Sequence, residues 1–193
     1  MGGAWGRRAR HAPCAGPVGR IRRPGPLTPY AARVTTSLDD ETAHGDPERR
    51  TDLPGSRGPT ATVEVEPYDI GPVRMEYAPE PDGDPDPGEI VWTFVPYEEN
   101  DGRGKDRPVL VVAREDAGTL LAVRLSSKRH DHDREWLPIG SGPWDSAGRA
   151  SWVDLDRVLR VHEEGMRREA CALDRASFDR VAGRLGERYG WSG

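Results

Sequence analysis

The chain is poor in cysteine, in phenylalanine and in long apolar runs. It has two cysteines, Cys14 and Cys171, among 193 residues. They stand far apart, and neither has metal-ligand spacing around it, so no disulfide and no metal site are expected. Such sparing use fits a reducing compartment, and the cytoplasm is the expected location. No apolar run approaches the length of a membrane span. Arg-Arg occurs at 7–8 and 22–23, but no apolar stretch follows either pair, which argues against an export signal. The apolar fraction is 35% and the charged fraction 32%. That balance is low in apolar content for a chain folded throughout.

Proline and charge are unevenly spread. Of 18 prolines, 14 lie in the first 88 residues. Residues 1–38 hold seven arginines and no acid, whereas 39–88 hold 14 acids against four arginines. The remaining residues, 89–193, hold 19 acids against 17 bases and are close to neutral. The expectation is therefore a disordered Pro/Gly-rich tail and acidic linker over 1–87, and one folded domain over 88–193. The composition shift near Val34 suggests a translation start there. Within the linker, TVEVEPYDI and PVRMEY have some β character, enough for an edge strand at most, because Pro67 and Pro72 interrupt the stretch. A near-neutral domain does not announce a nucleic-acid binder by bulk charge, so any such contact needs a local patch.

In the domain, residues 89–97 read as a strand with Ile90, Trp92 and Phe94 alternating. Residues 107–114 carry a nearly continuous run, Val109 to Val112, that suits a strand covered on both faces. Asp116, Ala117 and Gly118 mark a tight turn. Further strands are expected over 119–125, 134–139 and 150–161. Trp92 and Trp136 are assigned to the core. Asp174 is a good N-cap. Phe178, Val181, Ala182, Leu185 and Tyr189 follow at helical spacing, so one amphipathic helix closes the chain. Five short strands and a terminal helix point to a mainly β fold, a small and partly open antiparallel barrel. Such a barrel leaves edges and apolar surface that a dimer would cover.

Two polar features interrupt this apolar scaffold at strand ends. Arg107 opens the second strand, before Pro108, after a long charged loop. Ser126, Ser127 and Lys128 end the third. Arginine carries a fixed charge and a planar fork of donors suited to phosphate. A cation and hydroxyls brought together at strand ends suggest a phosphodiester site. The alternative for Arg107 is a purely structural pairing with Asp106, Glu98 or Glu99. For the serines it is a hydrogen bond to their own backbone. Lys105, Lys128, Arg129 and Arg134 lie in the same two loops and could form a phosphate track. Tyr97 or Trp144 could stack on an unpaired base, although Trp144 could equally pack on the barrel. His130 and His132 in KRHDHDRE titrate near neutrality and suit proton transfer, or are simply solvated.

The pieces GEIVW, KDRPVLVV, LSSK, and SWVDLDRVLRV followed by LDRASFDRVAGRL, in that order, resemble the MazF/PemK family of toxin endoribonucleases. The likeness runs over about half the chain. It implies an SH3-like barrel, a homodimer, and cleavage of single-stranded RNA without metal or other cofactor, through a cyclic phosphate. It also implies sequence selectivity and a cognate antitoxin of a type II toxin–antitoxin system. By this resemblance Arg107, Ser126 and Ser127 are the catalytic candidates, with His130 as a candidate for proton transfer. Two departures stand out. Serine occupies position 126, where the family has threonine, and Gly102 lies where an acid usually precedes the arginine by five residues. Two alternatives remain on the same fold. One is a non-catalytic module binding nucleic acid or protein, and the other a toxin that binds a topoisomerase.

Overall fold

The computed structural model describes residues 53–193. The tail expected over 1–52, with Cys14 and the proposed start near Val34, lies outside the described residues. Seven strands form one antiparallel sheet: β1 (Val63–Val65), β2 (Glu89–Pro96), β3 (Gly104–Arg114), β4 (Leu120–Ser126), β5 (Trp136–Gly140), β6 (Ser151–Val161) and β7 (Met166–Ala172). A single α-helix, α1 (Arg175–Tyr189), follows. The strand order is β1-β6-β4-β3-β2-β7, and β5 pairs with the outer part of β6. Five of these strands are the five expected from the sequence. The fold is mainly β, a small and partly open antiparallel barrel with a C-terminal helix, as expected.

The long apolar run in β3 has a simple cause. Its side chains alternate between two apolar clusters, so neither face meets water. Leu110 and Val112 join Leu121, Val123, Val153 and Leu155 under α1. Val109 and Val111 join Val91, Val95, Leu120, Ala122, Leu159 and Val161 on the opposite face. The helix begins where predicted, with the Asp174 carboxylate accepting from the Ser177 N–H at 3.0 Å. Its buried stripe is Phe178, Val181, Ala182 and Leu185. It stops at Gly190, whose φ of 73° closes the last turn.

Two strands extend the expected five. β7 pairs with β2, placing Ile90 opposite Cys171 and Trp92 opposite Arg167. The charges of its MRREACA sequence masked its periodicity, and such charges are common on edge strands. β1 is the edge strand that TVEVEPYDI suggested, pairing with β6 from Val63 opposite Arg160 to Val65 opposite Val158.

Residues 53–87 were read from composition as linker, yet they pack against the barrel. Val73 and Met75 are buried in the cluster under α1. The Met75 N–H donates to Ser192 O at 2.6 Å, and the Ser192 N–H donates to Val73 O at 3.0 Å. The Tyr77 hydroxyl donates to Leu173 O at 2.8 Å. At the far end, the hydroxyls of Thr62 and Thr93 lie 2.9 Å apart, and Thr93 also donates to Gly165 O. Gly55 and Gly165 touch so closely that a Cβ on Gly55 would stand 2.7 Å from Gly165 O. Composition concealed this because most acids of the segment face water, while a few apolar side chains and the prolines Pro67, Pro85 and Pro87 between them are buried. Trp92 and Trp136, assigned to the core, are only half-buried.

Two outcomes test this packing. Met75→Ala lowers unfolding free energy by about 2–4 kcal/mol in a denaturant titration, the ordinary cost of emptying a buried methionine site. Glu89 is buried at the start of β2, and burial raises its carboxyl from 4.5 to about 7. An acid whose pKa is raised on folding costs nothing below its unfolded value and destabilises progressively as pH rises toward its folded one. Glu89→Gln therefore melts above the wild type at pH 8, and the gap closes as pH falls from about 7 to 4.5.

Candidate functional site

The site lies where β3 and β4 run out of apolar residues. Val109 pairs with Arg124 and Leu110 with Val123. Continuing that register by two places sets Arg107 opposite Ser126. By strand alternation Arg107 shares a face with Val109 and Val111, and Arg124 and Ser126 share it with Leu120 and Ala122. On such a ladder Arg107 and Arg124 are diagonal neighbours. One shallow cavity of about 190 Å³ has Lys105, Arg107, Ser126 and Ser127 in its lining. The hairpin loop that precedes Arg107 closes with the Tyr97 N–H donating to Arg103 O at 3.0 Å.

The acids near Arg107 pair elsewhere. Asp106 forms an ion pair with Arg167 at 2.8 Å, and Glu98 approaches Arg124 at 3.4 Å. Asp101, beside Gly102, pairs with Arg103 at 2.7 Å. Among the described residues the Arg107 guanidinium has no hydrogen-bond or ion-pair partner. Burial, and then the charge of Arg124, hold it below the ordinary arginine range, with Arg157 adding to the effect and Tyr97 opposing it. It still carries its proton at any physiological pH. A half-buried, unpartnered cation beside two like charges is electrostatically frustrated, and an anion would relieve it.

Arg124 is held differently. Its Nε donates to Asp154 Oδ2 at 2.6 Å, and its guanidinium lies 5.2 Å from the centre of the Trp136 ring. Asp154 is 2% exposed. Burial pushes its carboxyl up, and Arg124 and then Arg157 pull it back down. Arg157 is buried, donates through Nε to Glu64 of β1 at 2.8 Å and through Nη2 to Pro96 O at 3.1 Å. None of Arg124, Asp154 and Arg157 was singled out in the sequence. The available signal was a charge at an apolar-period position, in LLAVRLS and in SWVDLDRVLRV.

The remaining candidates separate. Ser126 accepts from the Lys128 N–H at 3.1 Å, so its hydroxyl hydrogen remains available to a ligand. Ser127, Lys105 and Lys128 are exposed. Arg129 is exposed and pairs with Asp131 through Nε at 2.7 Å, while the exposed Arg134 accepts at its carbonyl from Arg184. Tyr97 is half-buried at the hairpin loop. Trp144 is 8% exposed, and its Nε1 donates to Ser151 Oγ at 3.0 Å. It packs into the core under α1 and also lines the cavity of Arg107, Ser126 and Ser127. His130, by contrast, does not line the cavity. It stacks on Trp136 with ring centres 3.8 Å apart and planes 9° from parallel, and its Nδ1 lies 3.9 Å from Asp133. His132 is exposed. Among the described residues no three His, Cys, Asp or Glu gather in a group that could hold a metal ion. No helix there is long and apolar enough to cross a membrane.

The fold is that of a compact β protein, a small antiparallel barrel with cations and hydroxyls at its strand ends. Residues 86–188, more than half the chain, match the PemK-like, MazF-like toxin family of type II toxin–antitoxin systems, and the chain belongs to that family. Among solved structures it is similar to the MazE–MazF complex (Form-III) from Deinococcus radiodurans. Identity there is 22%, over 56% of this chain and 98% of that one, with a TM-score of 0.39. A second form of that complex gives 21%, 55%, 96% and 0.40. An endoribonuclease in complex with its cognate antitoxin from mycobacterial species gives 18%, 55%, 95% and 0.41. Among curated proteins there is no match.

The pairing pattern predicts how Arg107 affects stability. Arg107→Ala removes a desolvated charge that has no partner, so its melting temperature equals or exceeds that of the wild type. A fall of more than about 1 kcal/mol in unfolding free energy would assign Arg107 a structural role instead.

Proposed function

We propose that this toxin is an endoribonuclease that cuts single-stranded RNA at selected sequences, without metal or other cofactor. The observation that carries the reading is the unpartnered guanidinium of Arg107, which lines one cavity with Ser126 and Ser127. Cleavage begins when the ribose 2′-oxygen attacks the adjacent phosphorus as its proton departs. A phosphorane with added negative charge forms, and the bond to the 5′-oxygen breaks as that oxygen gains a proton. The products are a 2′,3′-cyclic phosphate and a free 5′-hydroxyl. Arg107 supplies a fixed positive charge where the phosphorane gathers negative charge, and its partial burial strengthens that interaction. Ser126 can donate to a non-bridging oxygen, with Ser127 beside it. His130, stacked on Trp136 outside the cavity, does not support the proton-transfer role expected of it. The acids that line the cavity, Asp106 and Asp145, are held by Arg167 and Arg149. The contribution supported best is therefore electrostatic.

Lys105 and Lys128 extend the positive surface around this centre, and Arg129 and Arg134 continue it. In this reading the protein works in the cytoplasm as a homodimer, and a cognate antitoxin covers the same groove. Membership of a family of type II toxin–antitoxin systems supports such a partner.

The test incubates the protein with a varied pool of single-stranded RNA in EDTA. Cleavage leaving cyclic-phosphate ends is expected, and Arg107→Ala lowers it at least about a hundredfold, the usual scale for losing such a stabilising group. A pool left intact by the wild type, but bound by it, would instead favour a non-catalytic binding module.

A further inference from the structure

Beyond Arg107, the same face carries a second cation for which its surroundings provide only half a set of partners. Arg124 presents its guanidinium edge-on to two acids of opposite character. On the inner side, Nε bonds to Asp154 at 2.6 Å, and that carboxylate is 3% exposed. On the outer side, Nη2 reaches Glu98 only at 3.4 Å, and that carboxylate is 72% exposed. The inner bond is short, charge-assisted and shielded, so it fixes the plane of the guanidinium. The flat face rests on Trp136, whose other partner is His130. The Asp154 bond and the Trp136 ring thereby hold the group on two sides. The outer contact is long, solvated and screened, and is worth little. Glu98 sits in the loop between β2 and β3, free of the ladder on either side.

We propose that Arg124 is a second phosphate-contacting cation of the RNA site, that buried Asp154 positions it, and that Glu98 occupies its outer edge until a phosphodiester replaces it. This rests on the RNA reading above. The ladder makes Arg124 the diagonal neighbour of Arg107, on the face that also carries Ser126, although its side chain lines an adjoining cleft with Glu98, Asp133, Glu135 and Asp154 rather than the cavity of Arg107. Two guanidinium groups side by side repel each other in the free protein, and a shared or adjacent phosphate removes that repulsion. Asp154 acts through Arg124 and is a positioning residue. It compensates one charge of the pair while leaving Arg107 without an anion.

The experiment measures binding of the full chain to a short single-stranded RNA with 2′-O-methyl groups, which cannot be cleaved, across a salt series. Cleavage of the unmodified RNA is measured in parallel. Arg124→Gln weakens binding about tenfold and flattens the log-affinity against log-salt slope by about 0.7, the value for one lost phosphate contact on a single strand. Arg124→Lys keeps the slope but binds less well, because the planar fork is gone. Asp154→Asn also keeps the slope, since the cation remains, while its turnover falls about tenfold with KM changed less. Glu98→Gln has the opposite sign, tightening binding roughly two- to fivefold by removing a weak surface competitor. That variant touches only an exposed loop acid, so it decides the matter even if Arg124→Gln fails to fold. A wild type that cuts RNA, with Glu98→Gln and Arg124→Lys matching it in affinity and slope, overturns this proposal and leaves the nuclease reading intact. A wild type that neither binds nor cuts RNA overturns both.

Discussion

The constraint on which the structure depends is the β3–β4 ladder. Because β3 is apolar on both faces, it is fixed in the middle of the sheet between β2 and β4. Apolarity alone does not fix its register, since a slip of one residue would exchange two apolar clusters and expose neither to water; the observed register sets Val109 opposite Arg124 and Leu110 opposite Val123. Everything at the functional end follows from that register. Where the apolar residues stop, Arg107 and Arg124 emerge on one face, with Ser126 beside them. A cation at a strand end has no freedom to seek an acid across the barrel, so its place is set by core packing rather than by pairing.

Charge compensation is then distributed unequally. Asp154 serves Arg124, Glu64 serves Arg157, and Asp106 serves Arg167. Arg107 is left over. Burying an arginine part-way without a partner costs free energy, which the apolar ladder beneath it offsets. In the proposed function this cost has a use, because the ligand would supply the missing interaction. The stacking of His130 on Trp136 fits the same scheme. It steadies the surface against which Arg124 lies, and it keeps the imidazole away from the cavity.

The segment before β2 changes how the domain is understood. It supplies Val73 and Met75 to the core under α1, and it supplies Thr62 and β1 to the far side of the barrel. Glu64 from β1 caps a buried cation of β6. The family match starts at residue 86, so this packing is an addition made by the present chain to the shared barrel. It covers the edge of β6 that the barrel would otherwise leave open, a liability for any sheet.

Much was legible in the sequence because local physics decides it. The apolar run at Val109–Val112, the Asp174 cap and the 178–185 stripe each fix an element through periodicity within one segment. Arg107 and Ser126 were visible as polar residues at the ends of apolar runs, and the family resemblance joined them. Other features needed the fold. Whether Arg107 pairs with Asp106 or Glu98 depends on where Arg167 and Arg124 stand, and these come from β7 and β4. Whether Trp144 and His130 meet a ligand depends on what packs on their rings. The roles of Arg124 and Asp154 arise only when two strands thirty residues apart are placed side by side. A single sequence determines which stretches are extended, which is helical, and what chemical groups are carried at their ends. Partner choice among charges is a through-space competition between residues remote in the chain, and only the tertiary structure decides it.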